Sequence, residues 1–204
     1  MLGYFITFEG IEGSGKTTHI ARLRDRLEAL GHTVLQVREP GGTPLGDRIR
    51  EILLNGPEMV DEAEALLFAA SRAQIVASVI APALEEGTTV LCDRFVDSSV
   101  VYQGHARRLS VPAVLQANEM AVQGRWPDRT LLFDLPPELG LERAASRLLA
   151  LDRIEREGLS FHRTCREGFL TEAREHPNRY RVIDAALSKD EVEEQVWKAV
   201  QDLF

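Results

Sequence analysis

Cysteine is scarce in this chain, which has two such residues among 204. Cys92 and Cys165 lie far apart in the sequence and match no metal-ligand spacing, so we predict no zinc site. Their small number is a weak indication of a reducing compartment. Cys92 falls in an apolar stretch that we predict to be a buried strand, where the thiol serves as a small apolar side chain.

The chain has fewer basic than acidic residues. The chain has 24 lysines and arginines against 32 aspartates and glutamates, which gives a formal net charge of −8. Proteins that bind long nucleic acids through the phosphate backbone need a surplus of clustered positive charge. We therefore expect no such partner, and an anionic ligand must be held by a local pocket.

The chain also has no long uninterrupted apolar run. Its longest apolar stretch, 63–84, is broken by Ser71, Arg72 and Gln74. The first residues show no basic segment followed by an apolar one. These features predict a soluble cytoplasmic protein without a membrane partner.

The chain does contain a phosphate-binding motif. From Gly10 to Thr17 the residues read G-I-E-G-S-G-K-T and match G-x-x-x-x-G-K-[ST] at every position. Small residues let successive backbone N–H groups face a polyphosphate, Lys16 reaches its outer phosphates, and the Thr17 hydroxyl can bind magnesium. The nucleotide-binding residues predicted from the motif are Gly10, Ile11, Glu12, Gly13, Ser14, Gly15, Lys16, Thr17 and Thr18.

The residues around the motif support this interpretation. An apolar run at 4–8 precedes the loop, and a helical apolar face that ends at Gly31 follows it. Strand, loop and helix thus occur in the required order, with the positive end of the helix dipole at the phosphate site. This order disfavours the alternative, a glycine-rich turn without a ligand. The helical face comprises Ile20, Leu23, Leu27 and Leu30.

Strand-like runs alternate with helical patterns along the chain. The alternation predicts an α/β fold of the P-loop NTPase type, with three layers and a five-stranded parallel sheet flanked by helices. The composition, 44% hydrophobic and 27% charged residues, and the lack of a linker-like tract indicate a single domain over residues 1–204. The predicted strands are 4–8, 33–37, 88–92, 130–135 and 180–183.

Polar residues follow the second and third predicted strands, where the loops of a parallel sheet carry function. Arg38 opens the segment R-E-P-G-G-T, which is a tight surface turn or, because of the arginine, an anion site. Asp93 and Arg94 form a surface ion pair or, beside a phosphate loop, a magnesium ligand and a phosphate-binding arginine. We favour the functional interpretation of both segments.

With these residues in view, the chain resembles the thymidylate kinases, which transfer the terminal phosphoryl group of ATP to thymidine monophosphate. The resemblance covers nearly the whole length and implies an enzyme of dTTP biosynthesis that uses ATP and magnesium and forms a homodimer. The apolar stretch 63–84 is suited to the dimer interface or to the core. The matching motifs are F-E-G-I-E-G-S-G-K-T-T from Phe8, R-E-P-G-G from Arg38, L-F-A-A-S-R from Leu67, D-R-F-V-D-S-S-V-V-Y-Q-G from Asp93 and L-D-R-I-E from Leu151.

The resemblance assigns an acceptor site. Phe68 and Arg72, which share a helix face, match residues that stack on thymine and bind a ring carbonyl, although Phe68 alone would suit the core. Arg38 and Arg94 match arginines that hold the acceptor phosphate. Tyr102 matches a tyrosine under the sugar that leaves no space for a ribose 2′-hydroxyl. Positions that match the base edge, and that could equally cap a helix, are Ser98, Ser99 and Gln103.

Two acidic residues lie in or beside the phosphate loop. A carboxylate near a polyphosphate is unfavourable without a partner, so we expect a functional role for Glu12. In the family an acid at this position contacts the acceptor's 3′-hydroxyl or helps to place the magnesium and neighbouring arginines. Glu9 is a companion of Glu12 or a strand-end carboxylate bonded to nearby backbone.

Phosphoryl transfer needs positive charge around the transferred group, and Lys16 and magnesium supply part of it. Some family members carry an arginine in the phosphate loop, where this chain has Gly13. The resemblance therefore implies a lid at about 147–160, with Arg153 as the first candidate for the transition-state arginine and Arg147 as the second. A solvated charged face is the alternative.

The resemblance also implies an adenine site and shows three departures. Arg143 resembles an arginine that lies against adenine, and Asp184 begins a segment that resembles the loop on the other side of the ring. Val101 stands where the family usually has alanine, 105–108 replaces a glycine-rich segment, and 161–162 is a paired aromatic segment. We expect this extra bulk to narrow the acceptor pocket or to stiffen its loop.

Two other functions are compatible with a phosphate loop. One is a kinase for a different small nucleotide, which Phe68, Arg72 and Tyr102 disfavour. The other is a nucleotide-dependent switch. The sequence contains no Asn-Lys-x-Asp motif for guanine, and a switch would leave the acceptor-site arginines unexplained.

Overall fold

A computed structural model describes residues 2–145, 153–154 and 156–204. Its five strands confirm the predicted ones, and no bound differs by more than one residue. Each strand is a short run of residues rich in apolar and β-branched side chains, as a sheet covered on both faces requires. The strands are β1 Phe5–Glu9, β2 Val34–Arg38, β3 Thr89–Asp93, β4 Arg129–Asp134 and β5 Tyr180–Asp184.

The sheet is parallel throughout and has the order β2-β3-β1-β4-β5. The central strand β1 pairs with β3 on one side and with β4 on the other. The chain therefore leaves β1 towards one edge and later returns past it to the other, which opens a crevice at the carboxyl ends of the strands. In register, Phe8 and Arg38 both lie opposite Asp93, so the loops after three strands meet there.

Helices connect the strands and cover both faces of the sheet. Two of them continue into π-helical turns, Val76–Ile80 and Val100–Ala106, a geometry that often accompanies functional sites. A short 3₁₀ helix, Gln201–Leu203, follows the last helix. The described helices are α1 Lys16–Ala29, α2 Pro44–Asn55, α3 Asp61–Ile75, α4 Ala81–Glu85, α5 Val96–Ser99, α6 Val111–Val122, α7 Pro137–Ala145, α8 Leu159–Glu175 and α9 Lys189–Val200.

The helix after the phosphate loop confirms the predicted apolar face except at its end. Ile20, Leu23 and Leu27 are buried, but Leu30 is 58% exposed, so its assignment to the buried face was wrong. The reason is that α1 ends at Ala29, and Leu30 lies in the turn that leads to Gly31 with its positive φ. Beyond the last helical residue, side chains no longer follow the helical period.

Alternate residues of β1 supply the cores on the two faces of the sheet. Ile6 and Phe8 pack with α1 and α9, whereas Phe5 packs with α3, α4 and the π-helical turn between them. Cys92 lies in the second core and is fully buried, as predicted. A third cluster, around Tyr102 and Phe169, joins the second π-helical turn to α8.

The continuous helical segment Asp61–Glu85 is long and apolar enough to cross a membrane by length and composition alone. A single helix of this kind is weak evidence for a membrane span, since core helices of soluble proteins pass the same test. Its first part, α3, packs against α2 and α6. Arg72 in this part is fully buried and makes an ion pair with Glu39.

A buried ion pair holds the end of the sheet near β5. Asp97 in α5 is 2% exposed and accepts hydrogen bonds from both Nη atoms of Arg179, of which the Nη2–Oδ1 bond is 2.8 Å long. Arg179 Nη1 also donates to Thr130 Oγ1 at 2.7 Å. The pair therefore links α5, β4 and the residue just before β5.

Removal of this arginine is expected to destabilise the protein strongly. In Arg179→Met, Asp97 remains buried without its cation, and the free energy of unfolding should fall by about 3 kcal/mol. Urea denaturation at pH 7.5 measures the change. The control is Arg174→Met in α8, where the exposed arginine donates to Thr171 one turn earlier, and the loss of stability in this variant should stay within about 0.5 kcal/mol. Equal losses in the two variants would contradict the assigned role.

Candidate active site

The phosphate loop lies between β1 and α1 and depends on glycine. Gly10, Gly13 and Gly15 have φ values of 132°, 73° and 90°, a region that other residues rarely adopt. A Cβ atom at Gly13 would also lie 2.1 Å from the carbonyl oxygen of Gly140 in α7. On the side that faces α7, the loop therefore has room for glycine but not for a residue with a side chain.

Lys16 is folded onto the loop. Its Nζ atom donates to the carbonyl oxygens of Gly10 at 2.9 Å and Ile11 at 3.0 Å, and the residue is 7% exposed. Burial and the nearby charge of Arg94 lower the pKa of Lys16 to about 8, although neighbouring carboxylates oppose this. A bound phosphate would supply the negative charge that the buried ammonium group lacks.

Thr17 and Asp93 form a pair of oxygen ligands. Thr17 Oγ1 donates to Asp93 Oδ2 at 3.1 Å, which joins the start of α1 to the end of β3. Mg²⁺ is usually held by one or two carboxylates together with phosphate oxygens and water. A threonine hydroxyl and a carboxylate beside a phosphate loop fit this ion.

A cavity of about 820 Å³ opens beside the loop at the carboxyl ends of β2 and β3. It brings together most of the predicted acceptor and metal residues, which come from four separate segments of the chain, 12–17, 38, 68 and 93–103. Leu54 and Ile154 add apolar surface near Phe68. The predicted residues that line the cavity are Glu12, Thr17, Arg38, Phe68, Asp93, Arg94, Ser98, Ser99, Tyr102 and Gln103.

Glu12 is the carboxylate in this cavity that contacts both Arg94 and Tyr102. Its Oε1 atom accepts hydrogen bonds from Arg94 Nη2 at 2.7 Å and Tyr102 Oη at 2.9 Å. Burial alone would raise the pKa of Glu12, but Arg94, His162 and Lys16 outweigh it and hold the pKa well below its usual range. The carboxylate thus remains ionised and ties the phosphate loop to Arg94 and Tyr102.

His162 is a contact of Glu12 that the sequence analysis did not assign. It lies in the first turn of α8, is 1% exposed, and places Nδ1 3.3 Å from Glu12 Oε2, outside hydrogen-bond alignment. The sequence signalled this residue only as a departure from the family pattern. Its partner lies 150 positions earlier and is visible only in the fold.

Glu9 makes the contacts expected of its alternative role, a strand-end carboxylate bonded to nearby backbone. Its carboxylate accepts from the backbone N–H of Phe95 at 2.8 Å and from the Ser98 hydroxyl at 2.6 Å. Burial and the charge of Asp97 raise the pKa of Glu9 to about 7, and Arg94 opposes the shift. Glu9 therefore caps the segment that carries Arg94 and Ser98.

Arg72 lies behind the cavity and is not among the described residues that line it. Its guanidinium donates to Glu39 Oε2 at 2.7 Å, Ser99 Oγ at 3.0 Å and the Phe95 carbonyl oxygen at 3.0 Å, and also to Asn118. A direct contact with a ligand thus requires the exchange of one of these partners. The helix places Arg72 and Phe68 on one face, as the spacing predicts.

The predicted lid falls partly outside the described residues, and Arg147 is among those that the structure does not describe. Arg153 donates through Nε to the Leu53 carbonyl oxygen at 2.9 Å and through Nη2 to Glu64. Ile154 is 8% exposed. Ile154 lines the large cavity, and the last residues of the segment, Leu159 and Ser160, form the start of α8.

A second cavity, of about 260 Å³, adjoins the other side of the phosphate loop. Arg143 lines it and donates to the carbonyl oxygen of Ala185 at 3.1 Å. Asp184 accepts from the backbone N–H of Ala186 at 3.0 Å, which shapes the loop after β5. The two segments predicted to flank adenine are therefore brought together beside the loop.

The bulky residues that depart from the family pattern contact α8. Val101 and His105 lie against Gly168, where a Cβ atom would be 3.2 Å from each of them. His105 Nε2 also lies 3.0 Å from Glu172 Oε1. Neither residue is among the described residues that line the large cavity, and the bulk of both lies between the π-helical turn and α8.

The lowered pKa of Lys16 predicts a pH dependence of nucleotide binding. A bound phosphate favours the charged lysine, so the affinity for ATP should be constant below about pH 8 and fall above it, by at most about tenfold per pH unit. Titration calorimetry in EDTA from pH 7.5 to 9.5 measures this. Lys16→Arg keeps its charge over this range and should show a flat profile. Identical profiles for the two proteins would contradict the interpretation.

Comparison with known proteins finds relatives over nearly the whole chain. The family model for thymidylate kinase matches residues 8–196, from β1 into α9. Curated relatives named thymidylate kinase include those of Deinococcus radiodurans, 52% identical over 98% of this chain and 97% of the relative, and Pelotomaculum thermopropionicum, 51% identical over 100% and 95%. A third, from Thermomicrobium roseum, is 46% identical over 100% and 97%. A match of this extent, over a phosphate loop that shares its cavity with the residues predicted to bind an acceptor, places the chain in the thymidylate kinase family.

Proposed function

We propose that this chain transfers the terminal phosphoryl group of ATP to thymidine monophosphate, giving ADP and thymidine diphosphate for dTTP synthesis. Membership of the thymidylate kinase family supports the reaction, the donor and the acceptor. The observation that carries the proposal is that Glu12, Thr17, Asp93 and Arg94 line the same cavity as Phe68. A donor phosphate and an acceptor nucleotide can therefore meet in one enclosure, as in-line transfer requires.

The donor site consists of the phosphate loop and the smaller cavity. Backbone N–H groups of 10–18 and the N-terminus of α1 face the phosphates, and Lys16 turns from the loop carbonyls to the outer phosphates. Arg143 and Asp184 flank the adenine ring. Lys16 then contributes positive charge where the transferred group develops negative charge.

Thr17 and Asp93 hold the metal ion, which we take to be magnesium. Their 3.1 Å contact supports this, because an ion bound by both residues requires them to lie close together. The ion neutralises charge on the phosphates when it is bound. The two residues fix its place at the boundary between the loop and the acceptor cavity.

The acceptor site holds the phosphate with arginines and the base with the α3 face. Arg38 and Arg94 bind the phosphate, Phe68 stacks on the thymine ring, and Tyr102 fills the space of a ribose 2′-hydroxyl. The hydrogen bond between Tyr102 and Glu12 supports this role, since it fixes the tyrosine side chain beside the phosphate loop. Residues for the polar edge of the base are Ser98, Ser99, Gln103 and Arg72.

The remaining charge comes from the lid at about 147–160. Arg153 is the first candidate for the transition-state arginine and Arg147 the second. To reach the phosphates, Arg153 must leave Glu64 and the Leu53 carbonyl oxygen. A closed lid would also keep water from the transferred phosphoryl group.

We further propose a single-domain enzyme of the cytoplasm that acts as a homodimer. Exposed apolar side chains on α3 and α6 support the dimer: Leu66 is 61% exposed and Met120 is 81% exposed. The two helices pack against each other and so belong to one side of the molecule. Association of two copies there would remove both side chains from water.

An acceptor panel tests the function. ADP production is measured with magnesium and ATP for the monophosphates of thymidine, deoxyuridine, uridine, cytidine, adenosine and guanosine, with a sample that lacks an acceptor as control. We expect thymidine monophosphate to be used best, because of Phe68 and Tyr102. Preference for another nucleotide would leave the assignment as a kinase in place but would change the assigned acceptor. ATP hydrolysis that needs no acceptor would favour a nucleotide-dependent switch instead.

The lid proposal predicts a specific kinetic effect of Arg153→Ala. If Arg153 stabilises the transition state, kcat should fall by about 10³-fold while KM for thymidine monophosphate changes little. Steady-state kinetics separate the two constants, and Arg174→Ala, at an exposed position of α8 outside the lid, serves as the control. An unchanged kcat would transfer the role to Arg147 or Arg156.

A further inference from the structure

Glu64 is an acidic residue of α3 that is buried, with only 1% of its surface exposed. Its Oε1 atom accepts a hydrogen bond from Gln103 Nε2 at 2.7 Å, and its Oε2 atom accepts one from Arg153 Nη2. Arg107 Nε lies 3.6 Å from Oε1. Two guanidinium groups thus compensate the buried carboxylate, and an uncharged amide occupies its remaining side.

This contact determines which end of the Gln103 amide faces the acceptor cavity. A carboxylate accepts hydrogen bonds and does not donate them, so the amide nitrogen of Gln103 must face Glu64. Gln103 lines the acceptor cavity, and its carbonyl oxygen is therefore the end left for a ligand. At this point the site presents a hydrogen-bond acceptor.

Pyrimidine bases differ at the position that such an acceptor would contact. Thymine and uracil carry N3–H, a donor, between two carbonyl groups, whereas the N3 atom of cytosine is an acceptor. Two acceptors that face each other leave buried polar atoms without a hydrogen bond, which weakens binding by about tenfold or more. A fixed carbonyl oxygen thus selects an imide base.

We propose that Glu64 is a positioning residue that sets base specificity: it holds the carbonyl oxygen of Gln103 towards the N3–H of the acceptor base. The proposal rests on the acceptor site described above and adds the group that orients it. Because the second oxygen of Glu64 holds Arg153, the same carboxylate also anchors the described part of the lid. Base recognition and lid position are thereby linked through one side chain.

The test is Glu64→Gln, which keeps the shape but can present either a donor or an acceptor to Gln103. The ratio of kcat/KM for thymidine monophosphate to that for deoxycytidine monophosphate should fall by about tenfold or more. KM for ATP should stay within about twofold, since the donor site lies on the other side of the loop. Glu62→Gln, at an exposed position of the same helix, should keep the wild-type ratio.

A second variant keeps the proposal open to disproof if Glu64→Gln does not fold, which thermal unfolding will show. Gln103→Leu leaves Glu64 paired with Arg153 and removes the amide, so the ratio should fall in the same way. An unchanged ratio in a folded Glu64→Gln protein, or in Gln103→Leu, would overturn the role of Glu64 while leaving the kinase function in place. A wild-type protein that does not use thymidine monophosphate would overturn both.

Discussion

The contact between Glu12 and Arg94 is the interaction on which the rest of the site depends. Glu12 belongs to the phosphate loop, and Arg94 belongs to the segment after β3 that lines the large cavity. Neither charge would be stable at its depth alone, since each is mostly removed from water. Their pairing therefore joins two halves of the site that come from distant parts of the sequence. Tyr102 extends the connection to the π-helical turn, and His162 extends it to α8.

The parallel sheet explains why these residues can meet. Because β1, β2 and β3 run in the same direction, Glu9, Arg38 and Asp93 end at one edge. The loops that follow need to cover only short distances to converge on a ligand. The buried pair of Asp97 and Arg179 then fastens α5, and with it the Arg94 segment, to the far side of the sheet.

Much of the fold and part of the candidate site could be predicted from local sequence. The phosphate loop, the five strands and the shared face of Phe68 and Arg72 follow from motif and periodicity, which act over a few residues. Partners such as Glu64 for Arg153 and His162 for Glu12 were not predictable, because they depend on contacts between residues about 90 and 150 positions apart. One signal was available: Glu64, Phe68 and Arg72 are spaced by four and share a helix face, so a buried role for the acid was foreseeable. The prediction that Leu30 belongs to the buried face was wrong for a different reason, since periodicity does not show where a helix stops.

The close approach of Gly13 to Gly140 has a consequence for the entropy of nucleotide binding. With the backbone of α7 against the loop, the loop has little room to adopt other conformations on that side. Most of its ordering has then taken place during folding rather than on association with the ligand. ATP thus meets a preformed cradle and loses little affinity to loop ordering.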